Sequence, residues 1–252
     1  MKRMLITVAS ILLLAGSAMA QAKPDVEKKP AGPMPTVDQI LDNYVKALGG
    51  KDAIMKTTSR VAKGTFELPA MGISATIETY AKAPNKSALV IDIPGFGMVL
   101  QGYNGTIAWS QDPQSGLREK TGTELAETKR DEDFYRDARL KELYAKLELK
   151  GVEQVGGRDA YVIQASAGEG SPDKMYFDKE NGLLVRTDLE RESPMGRAPI
   201  QVFLDNYKEM DGVKQPLTVR QVAPIGEFII KFSDIKHNVP IDDAKFNKPA
   251  AQ

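Results

Sequence analysis

The chain holds a single histidine, His237, and no cysteine. It therefore lacks a disulfide, a thiol nucleophile and any thiolate-bound metal. His237 sits in "DIKHNVP" with no second histidine and no carboxylate pattern to close a metal site, and reads as an exposed strand end. "DEDFYRD" (131–137) crowds four carboxylates into seven residues. On a helix these would scatter around the surface, which fits a solvated face better than an acid–base pair or a calcium loop. "GEGSPD" (168–173) is glycine-rich but joins two strands instead of opening a helix, so it makes a poor phosphate cradle. "GGRDA" (156–160) is a hairpin turn. No G-x-S-x-G, P-loop or H-E-x-x-H occurs. The pattern implies no metal and no cofactor, and an enzyme is not expected.

The apolar residues carry more information. "IDIPGFGMVL" (91–100) turns a hairpin at Pro94-Gly95-Phe96-Gly97, placing an aromatic side chain where a turn is normally wet. Ten methionines are present, and Met71, Met98, Met175 and Met195 fall in or near expected strands and turns, where flexible thioethers adapt to irregular shapes. These apolar positions are either the packed core of a curled sheet or, in part, the lining of an unfilled cavity.

The elements that would position them read as follows. "MKRMLITVASILLLAGSAMA" (1–20) has a basic start, a short apolar run and a small-x-small end, the form of a secretory signal cleaved near Ala20/Gln21. The apolar run is too short for a span of ~20 residues, and no later stretch of that length is free of charge, so a transmembrane protein is not expected. Residues 21–35 hold four prolines and form a flexible leader. The chain balances 34 basic against 34 acidic residues, which argues against nucleic acid and against electrostatic docking on anionic membranes.

Thr36 opens a helix whose Val37, Ile40, Leu41, Tyr44, Val45 and Leu48 share a face, stopped by Gly49-Gly50; a short second helix follows. From Arg60 the period is two. Ala62, Gly64, Phe66 and Leu68 share one face, as do Ile73, Ala75 and Ile77, followed by Leu89, Ile91, Ile93, Met98, Leu100, Ile107 and Trp109. Residues 121–147 form a charged helical insertion. Strands resume at 158–166, 174–178, 183–190, 200–208, 213–222 and 227–235. The expectation is an α+β fold: a curved antiparallel sheet of about 10–11 strands, which must curl, close or split, in a single domain over 36–248. Helices either fill its hollow or roof it.

The layout resembles the periplasmic lipoprotein-carrier and lipoprotein-sorting superfamily, the LolA-like group, over most of residues 36–240. The resemblance lies in the amphipathic helix, the pair "KGTFEL" and "ISATIETYAKAPNK", and "GYNGTIAWSQDP" with Asn104-Gly105, Trp109 and Asp112-Pro113. "YFDKENGLLVR" and "DNYKEMDGVKQPLTV" extend it. It implies an incomplete, half-open β-barrel with lid helices over a hydrophobic cavity. On that reading the walls are Phe66, Leu68, Ile73, Ile77, Leu89, Ile91, Ile93, Leu100 and Trp109, joined by Phe203, Leu217, Val219, Phe228, Ile230 and Phe232. Phe96 and Met98 flank the mouth, and Val37, Ile40, Leu41, Tyr44 and Leu48 belong to the lid. The expected ligands are lipid or lipoprotein acyl chains, bound by a protein exported to the periplasm. The alternative is an envelope sensor or interaction scaffold that meets a protein partner through the charged insertion.

Overall fold

The computed structural model describes residues 33–168, 170–193 and 196–250. The expected signal, most of the leader and Met195 lie outside them. From Pro35 onward the chain forms one compact unit.

Helix α1 (Val37–Ala47) begins at a capping box. The Thr36 hydroxyl accepts from the Gln39 backbone N–H, and the Thr36 N–H donates to Gln39 Oε1 at 2.9 Å. Its apolar stripe Ile40, Leu41 and Tyr44 is buried. The helix stops at Ala47 with Leu48 as its C-cap, and at Gly49 the backbone closes on the Asp211-Gly212 turn. A Cβ at Gly49 would lie 1.9 Å from the Gly212 carbonyl oxygen, so only glycine fits. The short α2 (Lys51–Lys56) follows.

Thirteen strands then form one antiparallel sheet, two or three more than expected. β1 (Ser59–Leu68), β2 (Ile73–Lys82), β3 (Lys86–Ile93), β4 (Gly97–Tyr103), β5 (Ala108–Asp112) and β6 (Gly116–Glu119) step outward by hairpins to one edge. A crossover carries α3 (Gly122–Asp131) and α4 (Leu140–Leu143) to the opposite edge. From there β7 (Lys146–Val155), β8 (Arg158–Ser166), β9 (Asp173–Asp178), β10 (Leu184–Arg191), β11 (Ala198–Met210), β12 (Val213–Ala223) and β13 (Gly226–His237) step back inward until β13 pairs with β1. β6 and β7 are left as edges, so the barrel is incomplete. The strands absent from the sequence reading are these two edges. β6 is only four residues long, and the leucines that open β7 continue a helical spacing from Leu143.

This topology explains the charged insertion. A chain that leaves one edge of a curled sheet and resumes at the other must pass over the hollow. The crossover does so, anchored by the Phe134 N–H to the Pro84 carbonyl at 2.9 Å and by Tyr135, Ala138 and Leu140 in the core. The largest cluster of buried apolar residues lies over the C-terminal strands, with smaller ones on β1–β3 and on the outer face of β7–β10. Ile40, Leu41, Tyr44 and Leu48 pack with Leu140 and Tyr144 onto Ile163, Met175, Phe177 and Leu184 of β8–β10. The Tyr44 ring meets Phe177 edge to face at 5.2 Å.

Candidate functional site

Strand register decides which side chains face the hollow. Phe66 opposes Ala75, Ile77 opposes Ile91, Thr79 opposes Leu89, and Ile91 opposes Val99, so the even positions of β1 and the odd positions of β2–β4 point inward. From the other side β13 contributes Phe228, Ile230 and Phe232, with Ile230 opposite Phe66 and the Phe66 and Phe228 rings 5.7 Å apart. No residue of α1 lines the large hollow between them. What remains is a cavity of about 800 Å³ walled by Phe66, Leu68, Leu89, Ile91, Ile93, Val99, Phe228, Ile230 and Phe232. That volume lies in the range of sites for small organic ligands. The side chains of Phe96, in the β3–β4 turn, and Ile225, in the β12–β13 turn, also line it and stand 40% and 72% exposed at one end.

The opposite end is polar. Arg60, Ala81, Ser87 and Tyr103 lie side by side across β1–β4, and Lys120, at the start of the crossover, bonds through its backbone to Ala108 next in that row. Arg60 donates to Gln215 Oε1 at 2.8 Å, and Lys120 Nζ to Gln101 Oε1 at 3.3 Å. Among the described residues neither makes an ion pair. Glu132 closes the roof above them. Burial lowers the pKa of Arg60 and of Lys120, and burial raises that of Glu132.

A second cavity of about 380 Å³ adjoins the first and shares Arg60, Thr79 and Phe232 with it. Tyr44, Leu48, Val219 and the crossover residues Asp131, Arg136 and Asp137 line it. Arg191 bridges Asp131 and Asp173 at 2.8 Å each, and Tyr144 donates to Asp173 at 2.6 Å.

The cavity expected from the sequence is therefore present in part and shifted. Eight of its expected wall residues line the large cavity: Phe66, Leu68, Leu89, Ile91, Ile93, Phe228, Ile230 and Phe232. Val219 lines the smaller one. Ile77 is packed into the wall beneath Phe66 and Ile91, Ile73 shares the inward face as the partner of Leu68, and Leu217 lines neither cavity.

Four residues lie on the outer face. The β3–β4 turn keeps the odd positions inward, so Met98 and Leu100, opposite Asp92 and Val90, point outward while Val99 points in. The run Met-Val-Leu is apolar throughout, and its period could not reveal this. Trp109 packs over Gly102 outside the sheet, where a Cβ on Gly102 would touch the indole at 2.5 Å, and its Nε1 donates to the Phe246 carbonyl at 3.0 Å. It anchors the C-terminal segment. Phe203 stacks outside against Arg220, 3.8 Å from the ring centroid.

The expected lid residues also have another role. Ile40, Leu41, Tyr44 and Leu48 are core, with Val37 packed beside them, and the roof of the large cavity is the crossover through Lys120, Thr128 and Glu132. Met175 is fully buried core, and Met71 is exposed. His237 is buried, not exposed: Nδ1 lies 3.3 Å from Asp211, and its pKa is lowered by burial and by Arg60. "DEDFYRD" is not a solvated face, because Asp131 and Asp133 engage Arg191 and Arg139 and Glu132 enters the cavity. Among the described residues no group of three His, Asp or Glu could hold a metal ion.

Arg60 and Lys120 were missed by the sequence reading. The signal for Arg60 was available, since it has the same parity as Ala62, Gly64, Phe66 and Leu68 and so had to face inward with them.

An open, curled antiparallel sheet with helices crossing an apolar hollow is the LolA-like fold, and this chain has it. No family model matches the sequence, and no curated protein matches it. Many solved structures are similar to it, and three illustrate the likeness. A DUF1329 family protein from Desulfovibrio piger aligns at TM-score 0.56 and 18% identity over 85% of this chain and 98% of its own. A LolA superfamily protein from Nitrosomonas europaea aligns at 0.53 and 17% over 85% and 99%. A domain described as an outer membrane lipoprotein-sorting protein, from Vibrio parahaemolyticus, aligns at 0.55 and 13% over 84% and 98%. At these identities the likeness is one of fold.

Proposed function

We propose that the protein is an exported, soluble carrier or binder of lipids or lipoproteins that takes an acyl chain into the 800 Å³ cavity. That apolar hollow, left uncovered by the helix that fills the rest of the sheet, is the observation that carries the reading. Each methylene withdrawn from water contributes ~0.8 kcal/mol, so a long chain gains on the order of 10 kcal/mol from such a wall and needs no covalent chemistry to be held. The lipoprotein-sorting description of the Vibrio domain agrees with it. So do the signal-like first twenty residues, and no helix of the described residues is long and apolar enough to cross a membrane.

Delipidated recombinant protein is expected to bind a fluorescent long-chain fatty acid saturably. Absence of uptake, with no lipid extractable from the purified protein, overturns the reading. N-terminal sequencing of protein from the periplasmic fraction is expected to begin near Gln21. The scaffold alternative placed its interface on the charged insertion. Arg130 and Arg136 are 13% and 19% exposed there and are turned toward Asp173 and Tyr144, whereas Lys129 stands exposed on the same segment.

A further inference from the structure

The cavity is graded from end to end. Four charged side chains line it: Arg60, Lys120, Glu132 and Asp112. The two cations stand at the inner end, in or beside the row Arg60–Ala81–Ser87–Tyr103. Moving along the strands, the rows become Thr79 and Leu89, then Ile77, Ile91 and Val99, and the hollow ends at Phe96 and Ile225. From Arg60 to Leu68 the β1 face runs ~26 Å at the usual strand rise. Asp112, the charged residue nearest the mouth, is an acid whose carboxylate accepts from the Gln114 and Ser115 N–H groups and is thereby kept ionised.

Charges withdrawn from water are normally paired. Elsewhere in this molecule they are: Arg191 on Asp131 and Asp173, Arg118 on Glu124, Arg197 on Glu127. Arg60 and Lys120 break that pattern. Each has one neutral amide as its side-chain hydrogen-bond partner, and each faces open space. Glu132 shares the roof and Asp137 faces Arg60 across the adjoining cavity, and neither forms an ion pair with the two cations.

Resting on the carrier reading above, we propose that the ligand is an anionic single-chain amphiphile held head-inward. Its carboxylate or phosphate lies against Arg60 and Lys120, and its hydrocarbon tail runs along Phe66, Leu89, Ile91 and Phe228 toward Phe96. An orientation with the head at the mouth would set the anion near Asp112 and lay hydrocarbon on the unpaired cations.

The test uses the full mature chain and four probes with the same hydrocarbon tail: palmitate, hexadecyl phosphate, hexadecanol and hexadecyltrimethylammonium. Palmitate or hexadecyl phosphate is expected to bind at least about tenfold tighter than the alcohol, the scale of a charge-assisted contact, and the cation weakest; which anion leads identifies a carboxylate or a phosphate source. Arg60→Met and Lys120→Met should each erase most of that preference, while Lys63→Met, on the outer face, should leave it intact. In case the Arg60 or Lys120 variants fold poorly, the wild type carries a separate readout. A nitroxide near the carboxylate of a bound fatty acid should resist ascorbate, and one at the tail end should be reduced faster. Equal binding of all four probes, or a tail label better protected than a head label, overturns the head-inward placement and leaves the carrier reading standing. No binding of any probe overturns both.

Discussion

Two stretches of the same sheet face the same hollow with the same kinds of side chain and end differently. On β8–β10, Ile163, Met175 and Phe177 lie under α1 and are at most 1% exposed. On β1–β4, Phe66, Leu68, Leu89, Ile91 and Ile93 lie beyond α1, under a crossover that does not pack onto them, and line open space. Residue type does not separate the two. Coverage does, and coverage follows from topology: α1 is tied to the β11–β12 turn at Gly49–Gly212 and by the Lys214 N–H to the Leu48 carbonyl at 2.8 Å, which seats it over the C-terminal strands. One half is closed by α1, and the other encloses open space.

Truncation sharpens this contrast most strongly. Phe177→Ala is expected to lower stability by ~3–5 kcal/mol in urea unfolding, because the site beneath Tyr44 cannot collapse. Leu89→Ala, already beside empty volume, should lose ~1 kcal/mol or less. Comparable losses at both sites would mean that the two halves are packed alike. Next in size, Arg191→Met strands Asp131 and the buried Asp173 and should destabilise by ~3–5 kcal/mol. Protease sensitivity is expected to appear first in the crossover, which these charges hold down. Thr36→Ala removes the cap of α1 and should lose ~1 kcal/mol without altering lipid uptake, since that helix does not line the large cavity.

The smallest effect concerns His237. Its folded-state pKa lies below the ordinary 6.5, so as pH falls through that value the unfolded chain takes up a proton that the folded protein refuses. Stability should therefore decline on the acid side, and His237→Gln should flatten that slope in melting temperatures taken at pH 7.5 and 5.5.

Much of the fold was legible because hairpins announce themselves locally. Alternation in β1–β3, the Asn104-Gly105 and Asp211-Gly212 turns and the stripe of α1 each depend on neighbours in sequence. Some of the motifs that carried the family resemblance are of this local kind, and one reaches far along the chain. Asn104 and Asp112 accept backbone N–H groups in their own turns, and Trp109 pins the C-terminal segment. What was not legible depends on the opening of the sheet. Nothing local in "TKRDEDFYRDARL" says that it spans a hollow, so its charges looked solvated although Asp131 and Glu132 turn inward. Likewise, only the register across the β3–β4 turn tells Val99 from Met98 and Leu100.

Native mass spectrometry of the protein purified from its own cell envelope, alongside Leu89→Trp, tests the cavity directly. The account predicts bound species with the mass of a long-chain amphiphile on the wild type, and their loss from Leu89→Trp while its melting temperature stays within a few degrees. A wild type that carries no lipid and takes none up, or a filled variant that carries as much, would contradict it.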